Sequence, residues 1–97
     1  VWIETVGNEV IEYTFTVKKY VCKFPSMSII FNVVKIDNTN RRIILFVNKK
    51  YVPMWWEKTD PGTVMVTQLE NNLYSPTLTG AMKKLKPQKK SKLTRKK

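Results

Sequence analysis

Histidine is missing from this sequence, cysteine occurs once, glycine three times, and seven acids face eighteen lysines and arginines. Each shortage closes off a chemistry. Without histidine, the commonest general base and the commonest metal ligand are both absent. A single thiol, Cys22, forms neither an intramolecular disulfide nor a cysteine zinc cluster. It alternates with Tyr20 and Phe24, so it reads as a small buried hydrophobe with no partner base to activate it. The glycines sit at turns and build no phosphate-cradling loop. The acids are scattered, with Glu9 and Glu12 flanking a strand and Glu57 and Asp60 flanking a turn. Together these absences argue against an enzyme, a cofactor and a metal site.

Apolar runs are short, far below the roughly 20 residues that a membrane-crossing helix needs. No Asn-x-Ser/Thr glycosylation signal occurs. Val1-Trp2-Ile3-Glu4 lacks the basic start and apolar stretch of a secretory signal, and a start at valine suits a processed chain or an excised domain. With no disulfide possible, a reducing compartment is expected.

What is present is period-two alternation, the mark of half-buried strands. Ile11, Tyr13, Phe15 and Val17 fall on one face, and Glu12, Thr14, Thr16 and Lys18 on the other. Val1–Val6 precedes this run across Gly7-Asn8, a two-residue turn candidate, so residues 1–18 read as a β-hairpin. After Lys18-Lys19 the apolar phase moves to Tyr20, Cys22 and Phe24, which predicts a strand end or a bulge. Ser28–Ile36 and Arg42–Val47 are apolar on both faces and flank the polar loop Asp37-Asn38-Thr39-Asn40, so this second hairpin is expected at the centre of the fold. Pro53 makes Tyr51–Lys58 an edge strand or a loop, because proline cannot donate to a ladder. Asp60-Pro61-Gly62 is a turn, and Thr63–Glu70 a further strand. Leu73, Tyr74 and Leu78 are packing anchors in a turn-rich stretch, and Ala81–Leu85 suits one helical turn. The expectation is an all-β fold: a small antiparallel barrel or sandwich of five to six strands built from hairpins, occupying residues 1–80.

The net charge of +11 is unevenly spread, since nine of the eighteen cations lie between Lys83 and Lys97 with no acid among them. Such a run repels itself and supports no core, so residues 81–97 are expected to form a disordered basic tail. Lys83, Lys84, Lys86, Lys89, Lys90, Lys92, Arg95, Lys96 and Lys97 suit phosphate contact driven by counterion release, or a nuclear-import signal. A second cluster combines Lys49, Lys50, Tyr51, Trp55, Trp56 and Lys58. Trp55 and Trp56 point to opposite faces of an extended segment, so one packs and the other is available to stack on a base. Arg41 and Arg42 are lesser candidates for a phosphate clamp. These readings converge on a non-enzymatic, nuclear, nucleic-acid-associated module, with DNA and RNA undistinguished. The alternative is a protein-interaction module, nuclear or in another reducing compartment, whose near-neutral body docks a partner and whose tail is only an address.

Overall fold

The computed structural model describes residues 1–95. Eight antiparallel strands follow one another around a closed barrel, each paired with its neighbours in sequence and the last with the first. They are β1 (Trp2–Val6), β2 (Glu9–Phe15), β3 (Lys19–Lys23), β4 (Ser28–Asp37), β5 (Arg42–Val47), β6 (Lys50–Asp60), β7 (Thr63–Thr67) and β8 (Lys90–Arg95). The all-β class and hairpin construction expected from alternation are present, closed into a barrel rather than stacked as a sandwich. Eight strands replace the expected five to six.

The turns explain the register. Gly7 has φ +61° at the first central position of the Gly7-Asn8 turn, where a tight hairpin needs a left-handed residue. The phase change after Lys18 is a chain reversal: Thr16 Oγ1 accepts from the Lys18 and Lys19 amides at 3.3 and 3.0 Å, and Phe15 pairs with Tyr20. Cross-strand partners share a face, so odd residues of β2 and even residues of β3 point inward together. Between β5 and β6, Asn48 and Lys49 both have positive φ (51° and 63°), the geometry of a two-residue hairpin turn.

The second hairpin holds the best-covered strand. Arg42, Ile43, Ile44 and Leu45 of β5 are all buried, Ile43 and Leu45 inside the barrel and the other two outside it. β4 is covered on its inner face alone, since Ile30 and Val34 remain exposed. Pro53 lies inside the long strand β6, opposite Ile44, rather than in a loop. Its missing N–H falls where no ladder exists. The flanking Tyr51 amide donates to Ser75 O at 2.7 Å and the Trp55 amide to Thr67 Oγ1 at 3.0 Å, while β7 begins to pair only at Trp56. That half of β6 is an edge on its β7 side, which is where proline is tolerated.

The expected disordered tail is corrected at residues 90–95. Residues 90–95 form β8, which pairs with β7 over five positions and with β1 at Trp2–Arg95 and Ile3–Thr94. Alternation makes this possible: Leu93 is buried inside, and Lys90 and Lys92 project outward into water. The folded body therefore extends to Arg95 rather than stopping at residue 80. Lys96 and Lys97 lie outside the described residues.

The β7–β8 connection runs over the barrel's outer surface. It carries a 3-10 turn (Asn71–Leu73) that sinks Leu73 into the core, and a short helix α1 (Leu78–Met82) packed on β5 and β6. Thr77 Oγ1 accepts from the Gly80 amide at 3.0 Å and caps the helix. A Cβ at Gly80 would lie 2.2 Å from Ser75 Oγ, so the tight packing under α1 requires glycine there.

Among the described residues no helix is long and apolar enough to cross a membrane. The core cluster lies inside the barrel, and Lys19, Lys23, Glu57, Lys90 and Lys92 face outward together with the exposed Ile30 and Val34.

Candidate ligand-binding cavity

An eight-stranded barrel is just wide enough either to be filled by side chains or to hold one small ligand. Here it is incompletely filled. The end carrying the β2–β3, β4–β5 and β6–β7 turns, the lower end, opens into a cavity of ≈ 460 Å³. Ordinary protein interiors leave few voids larger than one water. This space is many times the minimum that one water needs, yet its wall is apolar. Tyr13 and Phe15 come from β2, Ile43 from β5, Met54 and Trp56 from β6, and Val64 and Val66 from β7. Trp2 and Leu93 close the side where β1 meets β8. Val17, Ile36 and Asn38 form the rim, and Val17 is 71% exposed although it is apolar.

Above it lies a second space of ≈ 290 Å³ that reaches Cys22, Phe24, Ile29 and Leu69. The two share Tyr13, Tyr20, Met54 and Val66, which form a waist. Aromatic contacts set that waist: Tyr13 and Tyr20 stack with centroids 5.9 Å apart, and Tyr20 meets Phe31 at 6.0 Å. The Tyr13 hydroxyl donates to Glu4 Oε1 at 2.6 Å. Burial first, then the hydrogen bond to Glu4, raises the Tyr13 phenol far above its ordinary range, so it stays a neutral donor. Burial likewise pushes the Cys22 thiol up to about 11, against a lowering hydrogen bond with Tyr20, and it lacks thiolate character at neutral pH.

The basic and aromatic residues singled out from sequence are distributed around the barrel rather than gathered. Lys49 and Lys50 occupy the upper end, and Lys58 lies about 26 Å away along β6 at a ~3.3 Å rise per residue. Tyr51 faces outward against Phe46 (centroids 4.8 Å), and its backbone bridges Ser75. The two tryptophans do point to opposite faces, but neither offers a free ring at the surface. Trp56 lines the cavity, and Trp55 is 8% exposed on the outer face beneath the connection. No single platform therefore joins Tyr51, Trp55 and Trp56 to the lysines.

Arg41 lies in the β4–β5 turn with φ +51°, whereas Arg42 is a structural staple. The Arg42 guanidinium donates to Asp37 Oδ2 and to Met82 O, both at 2.9 Å, and its Cζ sits 5.8 Å from the centre of the Trp55 ring. This ties α1 to β5, with Nε left without a partner. Hydrogen bonds from Asn40, then from Arg42, hold the Asp37 carboxyl below its ordinary value despite some opposing desolvation. Lys83, Lys84, Lys86 and Lys89 lie along the chain between α1 and β8. Lys86 sits against the outer surface near Trp55 and Met65, and Lys90 makes a 3.7 Å ion pair with Glu57. Arg95 reaches the lower end, where its Cζ lies 5.5 Å from the centre of the Trp2 ring.

The cavity itself went unread in the sequence, and one local signal pointed to it. Val17 prolongs the inward alternation of Ile11, Tyr13 and Phe15 into a turn beside two lysines, where a polar residue is the norm. No protein-family model matches this chain, and neither does any curated protein or solved structure.

Proposed function

We propose that this protein binds a small apolar molecule inside its barrel. The observation that supports this reading is the ≈ 460 Å³ apolar cavity, within the roughly 300–1,000 Å³ range of small-molecule sites. A barrel whose purpose was only to present a surface would gain stability by filling that space, because unfilled volume forfeits packing contacts. The exposed apolar rim formed by Phe15, Val17 and Ile36 gives a ligand a continuous apolar path from the lower end.

The test is uptake of a neutral fluorophore such as N-phenyl-1-naphthylamine by the full chain, with displacement by alkan-1-ols of increasing length. Transfer of each methylene from water is worth ~0.8 kcal/mol, so affinity should rise about fourfold per added CH₂ until the cavity is full. Val64→Trp, or the milder Val64→Phe, occupies the space and should weaken uptake about tenfold or more without lowering the thermal midpoint. A protein that takes up no fluorophore, or whose Val64→Trp form binds it equally well, does not have this function.

A second reading rests on a different surface. Lys86, Lys89, Lys90 and Lys92 lie close together along the end of the β7–β8 connection and the outer face of β8, and this basic strip suits a nucleic-acid backbone. This reading does not distinguish DNA from RNA, and a nuclear location accompanies it. Engagement of about four phosphates, one per lysine, predicts a log–log salt slope of about −3.6 on duplex DNA. Absence of oligonucleotide binding at 50 mM salt, or retention insensitive to salt, would remove it.

A further inference from the structure

The lower mouth of the cavity is apolar inside and cationic outside, and two of its cations stand on the cavity's own face. Arg95 follows the inward-pointing Leu93 by two residues on β8 and pairs across the sheet with Trp2, a lining residue. Its amide donates to Gly62 O at 2.9 Å, which fixes the backbone, and its guanidinium rests over the Trp2 indole at 5.5 Å. That stacking leaves the in-plane N–H donors free to address an oxygen anion. Lys58 follows the lining residue Trp56 by two residues on β6 and pairs with Val64, another lining residue. Of the nearby acids, Asp37 is paired with Arg42 and hydrogen-bonded to Asn40, while Asp60 accepts from the Gly62 amide at 2.9 Å and leaves one carboxylate charge against Arg95, Lys58, Lys18, Lys19 and Arg41 at this end. Asn38 adds a neutral polar side chain to the rim.

Resting on the cavity reading above, we propose that the ligand is an anionic amphiphile. Its alkyl chain enters the lower cavity as far as the Tyr13–Tyr20 waist, and its carboxylate or phosphate head stays at the mouth between Arg95 and Lys58. A neutral ligand would leave these two cations without a role in recognition. A cationic one would be repelled by them and by Lys18, Lys19 and Arg41, which belong to the same end of the barrel.

The experiment holds the chain constant and varies the head. Dodecanoate, dodecyl phosphate, dodecan-1-ol and dodecyltrimethylammonium, each below its micellar concentration, compete with bound N-phenyl-1-naphthylamine on the full-length protein at neutral pH. At least one of the two anions should bind about tenfold tighter than the alcohol, as a charge-assisted bond to Arg implies, and the trimethylammonium compound should bind weakest. Whichever anion leads identifies the head. In the Arg95→Gln/Lys58→Gln double variant this advantage, measured against the alcohol on the same variant, should shrink to about twofold. Lys18→Gln/Lys19→Gln, which removes charge from the same end but not from the cavity face, should preserve it. Equal binding of alcohol and anions by the wild type, or an advantage that survives the double variant, overturns the proposal while leaving an apolar cavity in place. Failure of all four compounds and of the fluorophore overturns the cavity reading, and this inference with it.

Discussion

In the two-residue turn between β5 and β6 the backbone, rather than the side chains, decides which residues fit. Asn48 and Lys49 both sit at positive φ, and a left-handed conformation costs an L-residue such as lysine roughly 1–2 kcal/mol. Asparagine tolerates it through local hydrogen bonding, but lysine has no such compensation. Lys49→Gly should therefore stabilise the fold by about 0.5–1 kcal/mol, read as a higher urea midpoint at unchanged m-value, once glycine's larger unfolded-state entropy is counted. A lower midpoint would mean that the lysine side chain contributes something its exposed position does not reveal. At this scale much was legible from sequence. Alternation gave opposite faces for Trp55 and Trp56 and a buried position for Cys22. It could not show that the face outside the barrel at Trp55 would itself be covered, because that cover comes from a segment more than twenty residues away.

Among the elements, β8 and α1 separate what a local pattern reveals from what it conceals. The run Lys90–Arg95 carries the period-two pattern of a strand, but with Leu93 as its one apolar residue it resembles solvated polyelectrolyte. Its ordering depends on two waiting neighbours, β7 and β1, and hydrogen bonds to them supply what the side chains lack. Pro53 shows the converse: its exclusion from a ladder was readable, but not that a strand can be central on one side and an edge on the other. The helix α1 is too short to be stable alone and depends on its dock. Arg42 supplies much of that dock, so Arg42→Ala should cost about 2 kcal/mol and selectively loosen residues 75–85, seen as faster amide exchange there than in β5. Uniform loss of protection across the barrel would instead make Arg42 part of the main cooperative unit.

For the whole molecule, an antiparallel hairpin fold was readable but closure was not. Two strands were hidden, one by the hairpin reversal at Thr16–Lys19 and one by its own charge. The cavity is a property of closure: its wall combines residues from both ends of the chain, Trp2 and Leu93, that no local window contains together. The joints of the ring are unequal. The β5–β6 joint pairs six positions, whereas β1 and β8 pair at two. Among the strand amides that are paired across a joint, Ile3 and Thr94 should accordingly exchange fastest, and a ring that opened first elsewhere would show a different order.

The unequal joint changes what shortening this protein would do. A cut ahead of Lys90, placed to remove a basic appendage, would instead withdraw a stave from the barrel. It would leave β1 and β7 with bare rows of amides and carbonyls, and would drain the cavity's wall into solvent. Such strands recruit one another between molecules. The shortened chain should therefore self-associate into sheet-rich aggregates at concentrations where the intact chain stays monodisperse in light scattering.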